Sequence, residues 1–367
     1  MNLQNKISDF LQKDPFQISS EEKRSKFLEI MKLQIEYHLK NCKEYNNWYF
    51  KNEFKTPENI ENIVEIPFIP SAAFKYINLK SIAKKTKKIS SSGTSSQIKS
   101  QIYIDSETSK NQTKALSKIL SHFLDKKRRP FFIVDLEPNL KNFELNNMSA
   151  RFAGMQGYLM AAKSRNYLLK TNSEGEIVFD MRVLEYLNKI SKKEPPVIIG
   201  YTYMIFSHLL NNDRLKFDLN SKTSLIHFGG WKKLEKNKIS KNLLNKKIIS
   251  ILNIQKERIF DIYGFTEQLG SVYVSKGNKG CIVPAYSEVI VRDPNTLSAV
   301  KDGEEGLLQF LSILPISYPG FSVLNDDLGK LTNVNNSRNT KEFIVSSRLE
   351  KAESRGCGDT LPDNFYM

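Results

Sequence analysis

Nowhere does this chain offer the roughly 20 consecutive apolar residues that a membrane-spanning helix needs. Its opening, MNLQNKISDFLQKDPF, has no apolar stretch behind a basic start of the kind a secretory signal shows. The expectation is a cytoplasmic protein with no integral membrane segment. Cysteine is scarce as well. Cys42, Cys281 and Cys357 are odd in number, far apart, and in none of the paired spacings of a zinc site or disulfide framework. At least one is then available as a working thiol. Also missing are an internal repeat, a long disordered linker, and the G-x-x-x-x-G-K-[ST] spacing of a Walker A loop.

What is present supports a large folded unit. With 40% hydrophobic and 11% aromatic residues, the chain can build an extensive core, which argues against intrinsic disorder. At 367 residues, one large domain with appendages is expected. A net charge of +15, with runs such as Lys126-Lys127-Arg128-Arg129, raises nucleic acid, an anionic surface or phosphate-bearing small molecules as partners. Lysine, asparagine and isoleucine are all abundant, and the basic runs are not interleaved with aromatics. No nucleic-acid partner is therefore expected.

Periodicity divides the chain. Ser19 and Glu22 have capping-box spacing before Phe27, Ile30, Met31, Ile35 and His38, which share one helical face. Residues 1–60 are expected to be a helical segment. Pro67 and Pro70 then hold the chain extended where a core domain over residues 61–345 begins. Within it, Phe131–Val134, Val197–Ile199, Ser224–Phe228 and Arg258–Ile262 read as buried strands separated by helices. After about residue 280 the pattern becomes strand and turn, with Ser287–Val291, Gly306–Phe310 and a turn at Asp302-Gly303. An α/β core followed by a β-rich portion is the predicted class.

Three stretches invite chemistry. Ser90–Lys99 gathers hydroxyls around Gly93 and ends in a lysine, a composition suited to a polyphosphate, although a serine-rich surface turn would look the same. Gly229-Gly230 closes a predicted strand where backbone can lie against a flat ligand, or merely turn. Tyr263-Gly264-Phe265-Thr266-Glu267 follows another strand and offers an aromatic for a base, a hydroxyl for a phosphate and a carboxylate for Mg²⁺. Farther on, Asn325-Asp326-Asp327-Leu328-Gly329 carries carboxylates for ribose hydroxyls, or a solvated acidic turn.

In this order the segments resemble those of adenylate-forming enzymes. That resemblance implies ATP and Mg²⁺ as cofactors, with Ser91, Ser92, Gly93, Thr94, Ser95 and Lys99 on the phosphates and Tyr263, Gly264, Thr266 and Glu267 on adenine, phosphate and Mg²⁺. It also implies Asp327 on the ribose and Arg348, with Glu350, at a hinge. Ser96 and Ile98 depart from the glycine and proline usual in the loop. Within the superfamily the chain is most similar to the acyl-protein synthetases, the long-chain-fatty-acid component of the bacterial luminescence reductase. The likeness rests on Ile66-Pro67, Pro70, Phe74-Lys75, the Ser-Ser-Gly-Thr loop, Gly229-Gly230-Trp231-Lys232, Ser317-Tyr318-Pro319, Asp326–Gly329 and Arg355-Gly356-Cys357.

The implied fold is the large domain of adenylate-forming enzymes, without the full small C-terminal domain and its catalytic lysine. Residues 346–367 would form a hinge-like tail carrying Cys357. The implied activity is ATP-dependent activation of a fatty carboxylic acid and acyl transfer to a thiol, Cys357, and on to an acyl-CoA-reductase-like partner. Two alternatives stand beside it. One is a ligase delivering to coenzyme A, a carrier protein or an amine in another pathway. The other is a nucleotide-binding scaffold that has lost catalysis.

Overall fold

The structure, a computed structural model, describes residues 2–349 apart from 83–84, 92–97, 139–146, 213, 232–235 and 333–339. Helices Leu3–Phe10, Ser20–Asn41 and Lys43–Lys51 open the chain. The second starts where the cap was expected, with the Ser19 side chain accepting from the Glu22 amide at 3.2 Å. It buries Phe27, Ile30, Met31, Gln34, Ile35 and His38, a single stripe at helical period. These helices share the main apolar core rather than standing apart. The segment between the first two is tied to the core domain through its carbonyls: Pro15 O accepts from the Ala285 amide at 2.8 Å, Lys13 O from the Tyr286 hydroxyl at 2.7 Å and from Lys118 Nζ at 3.0 Å, and Gln12 O from Lys118 Nζ as well.

Five strands form the parallel half of a large mixed sheet. Side by side lie Ala162–Thr171, Arg129–Leu136, Val197–Tyr201, Ser224–Phe228 and Ile259–Tyr263. Every residue of Val197–Tyr201 and Ser224–Phe228 is buried, which is why these runs read as continuously apolar. Ile259–Tyr263 is the seam. It runs parallel to Ser224–Phe228 on one side and antiparallel to Tyr273–Lys276 on the other. From there the sheet continues antiparallel through Cys281–Ile282, Glu342–Arg348, Ser322–Thr332, Gly306–Ser312 and Ser287–Arg292. The stretch held extended by Pro67 and Pro70 contributes Ile69–Pro70, which pairs parallel with Val323–Leu324. The architecture is α/β with a β-rich continuation, as the sequence pattern predicts.

Each half is pinned by a buried arginine. Arg129 donates to Pro195 O, Pro196 O, Lys222 O and Ser224 Oγ, tying three strands together where they begin. Arg292 donates to Gln309 Oε1, Leu297 O and Val64 O and stacks over Phe68 at 4.7 Å. A three-stranded sheet lies apart, built from the hairpin Lys87–Ser90 and Gln101–Ile104 with Asn147–Ser149 alongside.

Candidate active site

In open α/β sheets, ligands bind beyond the carboxyl ends of the parallel strands. Here that edge opens into a cleft of about 1270 Å³. The strands reach it at Tyr201, at Phe228-Gly229-Gly230, and at Ile262 with Gly264-Phe265-Thr266. Gly229 has φ +75, which strains any other residue type, and a Cβ on Gly230 would meet only open space. The backbone there is bare. Behind it, Leu116, Tyr158, Phe228, Leu269 and Val272 make an apolar arm between helices Ser106–Leu124 and Ala150–Leu159. Lys85, Lys87, Arg165 and Arg348 contribute positive charge to the lining.

The Tyr-Gly-x-Thr-Glu stretch splits as the chain leaves the seam strand. Gly264 and Thr266 line the cleft, whereas Glu267 turns inward and is buried. Burial pushes its carboxyl above the usual range, opposed by a hydrogen bond from Ser100. Ser100 is the far stem of the serine-rich loop. Its carbonyl accepts from the Ser91 amide at 2.9 Å, and its own amide donates to Ser91 Oγ at 3.0 Å. The fold therefore joins the Ser91–Ser100 stem to the Thr266-Glu267 turn through the Ser100–Glu267 bond, and Lys99, next to Ser100 in the chain, is exposed. Ser92, Gly93, Thr94 and Ser95 lie outside the described residues, as does Cys357.

Tyr263 sits differently from an aromatic with both faces open to a base. Its ring is stacked on Phe310 at 5.4 Å and 26°, and its hydroxyl donates to Asp327 Oδ2 at 2.6 Å. Asn325 Nδ2 donates to the same hydroxyl at 3.0 Å. Burial raises the Asp327 carboxyl above its ordinary range, while the Tyr263 hydroxyl and Arg348 act the other way. Arg348 pairs with Asp327 in strand register, its Nε 3.8 Å from Asp327 Oδ1 and its Nη2 3.6 Å from Asp326 Oδ2. The seam strand, the aspartate strand and the last described strand thus converge at one corner.

Several contributors carry no recognisable sequence signal. Gln112 lines the cleft, and its buried Nε2 has no hydrogen-bond partner. Gly270, with φ +91, packs so closely that a Cβ would lie 2.5 Å from Gln112 Cγ. A glycine beside an amide donor was visible only once the helix and the turn were juxtaposed. His227, inside the Gly-Gly motif, bonds Thr202 Oγ1 through Nδ1 at 3.0 Å, while Lys241 Nζ lies 3.0 Å from Asp261. Burial holds His227 below its ordinary value, leaving Lys241 as the cation facing Asp261. Cys42 and Cys281 are buried, and desolvation pushes the Cys281 thiol up to about 12. Neither is a ready nucleophile.

Among the described residues no cluster of three His, Cys, Asp or Glu could hold a metal by itself. A bound Mg²⁺ more usually takes one or two carboxylates together with substrate phosphates and water, and Glu267, buried behind Thr266, is the carboxylate this corner would offer. No helix among the described residues is long and apolar enough to cross a membrane.

A sheet with a parallel–antiparallel seam and a cleft at its strand ends is the fold of the adenylate-forming ligases. The chain superposes on 2-hydroxyisobutyryl-CoA ligase, in the postadenylation state with R3-HIB-AMP, with a TM-score of 0.63 and 12% identity, covering 92% of this chain and 70% of that one. The family model described as acyl-protein synthetase, LuxE, matches residues 2–366, and the chain belongs to that family. Curated relatives are the long-chain-fatty-acid–luciferin-component ligase of Aliivibrio fischeri, 22% identical over 352 residues (94% of this chain, 89% of that protein), and that of Vibrio harveyi, 24% identical over 358 residues (96% and 91%). By family and fold the chain is an enzyme, a ligase of the adenylate-forming class.

Proposed function

We propose that the chain converts a fatty carboxylic acid and ATP to acyl-AMP and then passes the acyl group to a thiol, its own Cys357, for delivery to a partner reductase. The observation that carries this reading is the cleft in which an apolar arm meets bare glycine backbone at Gly229-Gly230 and Thr266, whose neighbour Glu267 is bonded by Ser100 of the serine-rich stem. The arm suits an alkyl chain. Its carboxylate then lies toward Gln112 Nε2 and Thr266, donors without charge that orient it while leaving it nucleophilic.

A carboxylate oxygen attacks the α-phosphorus, forming a C–O–P bond as the bond to pyrophosphate breaks. The loop between Ser91 and Ser100, with Lys99, neutralises the departing phosphates. Asp327, fixed by Tyr263, Asn325 and Arg348, accepts from the ribose. Glu267 would hold Mg²⁺ at this corner, where a bound cation would add charge compensation for the phosphates. Cys357, as thiolate favoured by Arg355, then attacks the acyl carbon: a C–S bond forms and the C–O bond to AMP breaks. It lies eight positions beyond Leu349, a reach of about 26 Å when extended.

A second reading, acyl transfer to coenzyme A or a phosphopantetheine carrier, draws support from the positive lining at Lys85, Lys87, Arg165 and Arg348. One pair of assays tests both. Carboxylate-dependent ATP–pyrophosphate exchange should be present in wild type and in Cys357→Ser. Hydroxylamine-sensitive labelling by radioactive fatty acid should be present only in wild type. Exchange without any labelling moves the acceptor to coenzyme A or a carrier, and no exchange with any carboxylate removes the enzyme reading of the cleft.

A further inference from the structure

A second chamber of about 320 Å³ lies on the antiparallel side, sharing no lining residue with the cleft. Its walls are mostly hydrocarbon, with Trp48, Phe54, Phe68, Leu307, Leu324 and Leu349 the principal contributors. Its polar groups are two amides, Asn52 and Asn325, and one carboxylate, Asp326. The volume and the sparse polar lining are those of a small-molecule site. Leu297 is held there with φ 58, a conformation a leucine adopts only under constraint.

The chamber's position is the informative part. Arg348 faces the adenylation cleft while its neighbour Leu349 faces the chamber, and the Leu349 amide is tied to Asp326 O at 2.9 Å. The segment that carries Cys357 departs from this point. A thioester on Cys357 exposes an uncharged head and a long alkyl chain, and each methylene left in water is unfavourable. The chain must also vacate the cleft before another acid can enter. Asn52 and Asn325 suit an uncharged head, whereas the carboxylate of a free fatty acid would oppose Asp326.

We propose that this chamber is a second acyl-chain site, which shelters the alkyl chain of the Cys357 thioester between its formation in the cleft and its transfer. The inference rests on the acyl-enzyme reading above and extends it by assigning the chain a seat outside the adenylation cleft. Asn325 lines the chamber and also bonds Tyr263 and Asp327, so a seated chain touches the residue that orders them.

The sequence contains two tryptophans. Trp48 lines the chamber, and Trp231 follows the cleft glycines and packs on Phe206. The full chain is acylated with ATP and a fatty acid brominated on its chain, and tryptophan quenching is read in wild type, Trp48→Phe and Trp231→Phe. The expected result is quenching that survives in Trp231→Phe and vanishes in Trp48→Phe. Quenching that vanishes in Trp231→Phe instead places the chain in the cleft and overturns the inference alone. A thioester with no quenching at all does the same. Absence of the thioester overturns the acyl-enzyme reading and this inference together. Narrowing the chamber by Leu324→Trp, with folding checked by thermal denaturation, should leave pyrophosphate exchange within about twofold and speed thioester hydrolysis roughly threefold or more, because the ester is no longer screened from water. Unchanged hydrolysis in the folded variant also overturns it.

Discussion

The two halves of the sheet are built on different logic and do different work. The parallel half, Arg129 to Tyr263, aligns its strands so that all of them end at one edge, and that edge supplies bare backbone, apolar walls and the Thr266 hydroxyl. The antiparallel half sets polar and charged side chains along its strands: Asn325, Asp326 and Asp327 on one, Arg348 on its neighbour. A parallel array makes a pocket because its ends coincide. An antiparallel array makes a rigid rack on which charges are set at fixed register. The site exists because the seam strand Ile259–Tyr263 belongs to both.

The largest expected effect is at the corner where the halves meet. Glu267→Gln keeps the shape and the Ser100 contact but removes the charge, and pyrophosphate exchange should fall about 100-fold or more with melting temperature nearly unchanged. Full activity in a folded variant would detach the seam from the chemistry. Next come the arginine staples. Arg129→Met removes the arginine donor from the Pro195 and Lys222 carbonyls and the Ser224 hydroxyl, although Pro196 O keeps the Ser224 amide, costing about 2–4 kcal/mol on urea denaturation while the folded fraction keeps its exchange rate. Arg292→Met should cost a similar amount and also disturb the Trp48 environment, since Arg292 stacks on Phe68 of the apolar chamber. Equal fluorescence changes in the two variants would break the distinction between the halves.

A smaller change is expected when the rack alone is edited. Asp327→Asn retains a partner for the Tyr263 hydroxyl but weakens the acceptor offered to ribose, so the KM for ATP should rise about tenfold with kcat less affected. A kcat loss with unchanged KM would assign Asp327 to chemistry. The smallest effect lies beneath both halves, at His38, which stacks on Phe321 at 5.3 Å and bonds Ser81 and Gln34. Burial depresses its pKa from 6.5 to about 3, so it is neutral in the fold and takes up a proton more readily when unfolded. Its contribution is complete above pH 6.5 and is lost as pH falls toward 3, by up to about 1.4 kcal/mol per pH unit. Denaturation between pH 5 and 7 should show that slope, flattened in His38→Gln.

How much was legible follows the same division. The parallel strands were readable because burial on both faces writes itself as an unbroken apolar run, as in Val197–Tyr201. The glycines and Thr266 were readable because strand ends place them next to recognisable turns. The arrangement around Tyr263 was not, since its stacking on Phe310 and its bond to Asp327 join residues 47 and 64 positions away. Gln112 and Gly270 escaped for the same reason. The apolar chamber was the least legible feature: residues between 48 and 349 contribute to it, and those that belong to a motif, Pro70, Asn325 and Asp326, gave no sign of an apolar cavity.

The paired bonds between Ser91 and Ser100 bear on how the serine-rich loop tolerates its own composition. They close the hairpin Lys87–Ser90 and Gln101–Ile104 at its tip, so the entropic cost of bringing the loop's ends together is met by sheet pairing rather than by the loop residues. Closure cost grows only logarithmically with length, about 0.6 kcal/mol per doubling. A loop held in this way does not depend on an internal proline or second glycine to keep its mouth narrow. Ser96 and Ile98, where related loops carry glycine and proline, are then substitutions in a span whose ends are already fixed, and length variants inserted there should fold as well as the parent chain.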